Sequence, residues 1–109
     1  MSSGAYLLVT VSIEDDLHDP RRLTRMRAIR ALGKAGGDGA VRLLIAKHDE
    51  EGESPVIRNL AMDALLEIGT PEVADLLEAR LDTYPSARGR RIVAKKIAKL
   101  RRASRDDLR

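Results

Sequence analysis

An arginine-led apolar frame recurs along this chain every 33 residues. It runs Arg25-x-x-Ala28-x-x-Ala31-Leu32, then Arg58-x-x-Ala61-x-x-Ala64-Leu65, then Arg91-x-x-Ala94-x-x-Ile97-Ala98. The match extends downstream, where Gly36 answers Gly69, Leu43-Leu44 answers Leu76-Leu77, and Asp49 answers Asp82. A hairpin of this length cannot bury its apolar side alone, so successive units must stack and share a core. The repeat therefore predicts an all-α fold, a short α-solenoid of about two and a half hairpins and about five helices.

Helix signals place the hairpins. Ser54 caps and Pro55 opens a helix that runs through Ile57, Leu60, Ala61, Ala64, Leu65 and Ile68 to the stop at Gly69. Thr70-Pro71 repeats the device and starts a partner helix through Val73, Leu76, Leu77 and Leu81, ended by Thr83-Tyr84-Pro85. An earlier hairpin is predicted over Leu23 to Ala35 and Asp38 to His48, hinged at Gly36-Gly37 and capped by Asp38. A last helix is predicted from about Ser86 to Ala103. The 109 residues make a single domain, 1–109. It divides into an N-terminal segment 1–20, repeats at 21–53 and 54–84, a terminal half-repeat 85–103 and a tail 104–109. Residues 5–13 stay open between two readings: Leu7, Val9, Val11 and Ile13 alternate as in a strand, yet the stretch also aligns with the second-helix pattern at 39–50.

The frame, followed by a Leu-Leu helix and an Asp before the next unit, resembles the HEAT-like repeats, in the short form associated with phycobilisome lyases. That resemblance covers roughly Arg21 to Leu100 and implies that first helices form an outer layer, second helices an inner one, and that Arg25, Arg58 and Arg91 bond to neighbouring turns as structural repeat positions. Tetratricopeptide units need large aromatic residues, and this chain has only Tyr6 and Tyr84. Ankyrin units place Thr-Pro before their first helix, whereas Thr70-Pro71 precedes a second one; ankyrin stays the alternative fold, because Gly69-x-x-Glu72-Val73-x-x-Leu76-Leu77 resembles its second helix.

The formal charge is only +3, but it is unevenly spread. Residues 84–109 carry ten bases and two acids, and residues 21–37 six bases and no acid, while 38–83 carry eleven acids against four bases. On the last helix Arg88, Arg90, Arg91, Lys95, Lys96, Lys99, Arg101 and Arg102 leave Val93, Ala94, Ile97 and Leu100 as the apolar stripe. Such a surface suits an anionic partner, nucleic acid included, and equally suits the polar outer face that closes a stack. If the run Arg21, Arg22, Arg25, Arg27, Arg30 and Lys34 faces the same side, the two form one positive band. Glu72, Asp75, Glu78 and Asp82 read as a solvated acidic face.

No catalytic or cofactor site is expected. Cysteine is absent, which excludes disulfides and thiolate metal sites. Glu14-Asp15-Asp16 and Asp49-Glu50-Glu51 lack the alternating spacing of a calcium loop, and His18 and His48 read as polar residues near helix ends. No apolar run approaches the ~18 residues of a membrane span, and no basic flank precedes a leader core. The expectation is a cytoplasmic, non-catalytic scaffold that binds another protein, with nucleic acid as the alternative partner and self-association possible through exposed repeat ends.

Overall fold

The computed structural model describes residues 13–107. The open question over residues 5–13 lies outside them except for Ile13, which begins a helical turn at 13–16. Leu17, just after that turn, is buried in the core.

Five longer helices follow: α1 (Arg22–Ala35), α2 (Gly37–Asp49), α3 (Pro55–Ile68), α4 (Pro71–Glu78) and α5 (Ala87–Asp107), with a 3-10 turn at Leu81–Thr83 before α5. Helices α1 and α3 lie side by side, α2 packs on both, and α5 rests mainly on α4 with a lighter touch on α3. This is a short helical solenoid only 18 Å deep along its thinnest axis.

The caps explain the boundaries. Ser54 Oγ accepts from the Ile57 N–H at 3.3 Å and Thr70 Oγ1 from the Val73 N–H at 3.2 Å, each with proline in the first turn. Ser86 Oγ does the same for the Gly89 N–H at the start of α5. Gly69 ends α3 in the left-handed region, φ +68°, and its N–H reaches the Leu65 carbonyl. Gly36, also at φ +68°, reverses the chain so abruptly that α2 starts at Gly37. Asp38 therefore sits in the first turn of α2, not at its cap, where its charge still favours the helix N-terminus.

Two further boundaries differ from expectation. Helix α4 stops at Glu78 instead of continuing to Leu81, because Arg80 folds back to donate to the Leu76 carbonyl at 2.8 Å and to Asp49. Helix α5 runs on to Asp107, so most of the stretch expected to be a tail is helical.

The repeat positions build one core. Ala28, Ile29, Leu32, Ala61, Met62, Ala64, Leu65, Val73, Leu77, Val93 and Ile97 are all buried in it. Small residues draw α1 and α3 together: a Cβ placed on Gly33 would stand 3.0 Å from the Ala64 Cβ and 3.2 Å from its Cα. Ala94, expected in the buried stripe, is exposed, and Val93 takes its place.

Candidate functional site

Where one unit hands over to the next, the chain must bury backbone carbonyls, and arginines serve them. Arg25 Nη1 donates to the Asp19 and Pro20 carbonyls at 2.8 and 3.0 Å, and Arg58 Nε to the His48 carbonyl at 2.8 Å. In the third unit the donor is Arg90, bonded to the Tyr84 carbonyl at 2.8 Å, and Arg91 points to solvent. The spacing from the second arginine to the third is thus 32 residues, not 33. Arg90 with Val93 and Ile97 matches Arg25 with Ala28 and Leu32 and Arg58 with Ala61 and Leu65, which explains why Ala94 is exposed. The loop before α5 is one residue shorter than a strict repeat demands.

Each junction also holds an ionic or polar cluster. At the first, Arg25 pairs with Glu53 at 3.1 Å, and Lys47, only 3% exposed, reaches Glu50 at 3.0 Å and Glu53 at 3.3 Å. Burial pushes the Glu53 carboxyl up, but the bonds from the Ser54 N–H, Lys47 and Arg25 more than offset this and hold it below the usual glutamate range. At the second, His48 is buried, with Nδ1 2.8 Å from Asp49 Oδ1 and Nε2 2.6 Å from the Tyr84 hydroxyl. Arg80 Nε holds both oxygens of Asp49 at 2.9 Å. Burial raises the Asp49 carboxyl, yet the bonds from Arg80 and His48 leave it lowered on balance, while burial raises the Tyr84 hydroxyl.

None of these partners was visible as a site in the sequence. His48 is a core residue at a junction, not simply a polar terminator, and Lys47, Glu53 and Tyr84 had no distinguishing motif. The one available signal was the dipeptide His-Asp, which stands at 18–19 and again at 48–49, each time just before the next arginine donor. The two differ in use, since the His18 side chain is 68% exposed and only approaches Glu50, at 3.7 Å. Among the described residues no group of three or more acids and histidines could hold a metal ion.

Of the nine cations of α5, Arg105 is exposed near its end, and the other eight divide in two. Arg90 is spent on the Tyr84 carbonyl, Lys96 pairs with Asp63 of α3 at 3.5 Å, and Arg101 bonds both Asp75 and Glu78 of α4. Those two carboxylates, expected to be merely solvated, are thus half of the seam that fastens α5. The other five, Arg88, Arg91, Lys95, Lys99 and Arg102, are exposed and pair with no carboxylate among the described residues. The single positive band does not form, because the α3 face lies between the two basic runs. Arg30 and Lys34 of α1 line one depression with Asp63 and Glu67, and Lys96 meets Asp63 from the other side.

With this geometry in place, comparison with known proteins is consistent. The family model described as HEAT repeats matches residues 13–98, and the chain belongs to that family. A solved structure of human deoxyhypusine hydroxylase in complex with glycerol aligns with a TM-score of 0.64 and 26% identity. That alignment covers 83% of this chain but 31% of the human protein, so this chain spans less than a third of its relative. No curated protein matches the sequence. No helix among the described residues is long and apolar enough to cross a membrane.

Proposed function

We propose that this chain is a non-catalytic scaffold that binds another protein, the use to which HEAT repeats are generally put. The observation that carries this reading is a pair of exposed apolar side chains in register. Leu23 is 65% exposed and Val56 53%, and each is the second residue of its helix, two positions before the arginine donor. The two occupy equivalent positions in helices that lie side by side. Burial of such apolar side chains by a partner matches the apolar core of a protein interface.

The polar clusters favour the same reading. His48, Asp49 and Tyr84 are engaged with one another and with Arg80, which is the arrangement of a structural junction rather than of a poised nucleophile and base. The activity named for the human relative belongs to a chain of which this one matches 31%, and what the two share is the stacked framework. The test is capture from nuclease-treated native lysate by the immobilised wild-type protein and by the Leu23→Asp/Val56→Asp variant. A partner retained by the first and lost by the second, with unchanged helical circular dichroism, is the expected result. A partner equally retained by both, or released by the nuclease, refutes the reading.

A further inference from the structure

Six cations on α5 remain after the helix has been fastened; Arg105 stands apart near its end, and the positions of the other five are not scattered. Arg88, Arg91, Lys95, Lys99 and Arg102 follow one another at intervals of three, four, four and three residues. At 3.6 residues per turn these intervals keep all five within about 80° of arc, in a row about 21 Å long. The row points directly away from Val93, Ile97 and Leu100, the buried side of the same helix. Arg90, Lys96 and Arg101 are bonded on the flanks, so the helix cannot roll the row inward without breaking those contacts.

We propose that this row is a docking surface for the phosphate backbone of double-stranded nucleic acid, bound without regard to sequence. The surface is distinct from the Leu23 and Val56 pair, and the two readings stand or fall separately. Charge complementarity selects the partner. No acid interrupts residues 84–105, and a duplex offers one strand phosphate per 3.4 Å of axis, so about six phosphates run alongside a 21 Å row. A protein partner would look for aromatic or aliphatic anchors, since lysine is depleted at interface cores. Beside the row the only large exposed apolar side chain on α5 is Ile92, 44% exposed. Single strands are held largely by bases stacked on aromatic side chains. The row has none, and Tyr84 is turned inward to His48. Every side chain of the row is a cation suited to a phosphate, and contacts to phosphates position without specifying.

The experiment is fluorescence anisotropy with a labelled mixed-sequence 24-base-pair duplex between 50 and 200 mM salt. Five phosphate contacts give a log–log salt slope of about −4.5, hence affinity lower by roughly 500-fold across that range. Lys95→Gln/Lys99→Gln removes two contacts, so the slope falls by about 1.8 and binding at 0.1 M salt weakens by roughly 60-fold. Arg22→Gln/Arg27→Gln removes the same charge from α1, which packs on α3 and α2 and not closely on α5, and is expected to weaken binding far less than loss of the row. Should the lysine variant lose helical circular dichroism, Arg88→Gln/Arg91→Gln takes its place. The proposal is overturned if the duplex does not bind at 50 mM salt, or if the α1 and α5 variants weaken binding equally. It is also overturned if a single strand of equal length binds as tightly, or if polyglutamate of equal charge competes as well as unlabelled duplex, which would make the partner an acidic polypeptide.

Discussion

Removing one oxygen from Tyr84 tests the second junction directly. The hydroxyl lies 2.6 Å from His48 Nε2, and Nδ1 of the same ring lies 2.8 Å from Asp49. With the Nδ1 proton directed at the carboxylate, Nε2 is an acceptor and the tyrosine O–H is its donor. In Tyr84→Phe the ring remains, edge-on to the imidazole at a centroid distance of 5.6 Å, but Nε2 is left without a donor in a residue only 2% exposed. An orphaned buried acceptor costs about 1–3 kcal/mol. Taking about 2 kcal/mol, a domain of this size loses about 8–16 °C in Tm. Urea unfolding followed by circular dichroism, with calorimetry alongside, measures both. Adding His48→Leu removes the orphan, so His48→Leu/Tyr84→Phe recovers part of the loss, since exchanging both partners for apolar groups is close to neutral. A Tyr84→Phe protein within 0.5 kcal/mol of wild type, or a double variant that is weaker by the full sum of the singles, would refute the account of the junction.

Three other outcomes follow from the structure. Leu65→Ala, at a fully buried position in α3, is expected to cost about 3 kcal/mol through the cavity it leaves, read by the same urea titration with unchanged slope. Gly69→Ala places a side chain at φ +68°, 3.2 Å from the Leu66 carbonyl oxygen, and is expected to destabilise by about 1–2 kcal/mol, whereas Gly39→Ala, with open space around it, is expected to be neutral or stabilising. The carboxyls of Glu53 and Asp49 are held low in the folded protein, so their contribution is complete above the ordinary carboxylate range and is lost as pH falls below about 4.3. Stability measured from pH 7 to 2 should therefore decline less steeply in Glu53→Gln than in wild type, with the variant already weaker at pH 7.

The architecture was legible because it rests on periodicity. Ser54-Pro55, Thr70-Pro71 and Gly69 act through the backbone within a few residues, and the structure places caps and turns at those positions. What was hidden depends on contacts distant in sequence. Tyr84 meets His48 across 36 positions, and Arg80 meets Asp49 across 31, so neither pair leaves a local pattern. The displaced arginine has a different cause. Adjacent arginines at 90 and 91 made both registers available, and only burial of Val93 rather than Ala94 separates them. The eight cations from Arg88 to Arg102 could be read as a run, but their division into three fastened and five outward depended on the Tyr84 carbonyl and on Asp63, Asp75 and Glu78, which lie outside α5. Arg25 spans two carbonyls and a carboxylate at once and Arg58 serves one carbonyl, a use the family resemblance implies in kind without naming the acceptors.

The dense packing of α3 on both α1 and α2, set against the lighter attachment of α5, has a consequence for synthesis. A nascent polypeptide that has cleared the ribosome as far as Gly69 already possesses the three helices of its tightest layer, while Arg80 and Tyr84, which close over Asp49 and His48, arrive later. The later segments then add to this template in chain order, α4 first and α5 upon it, so translation and assembly proceed in the same direction.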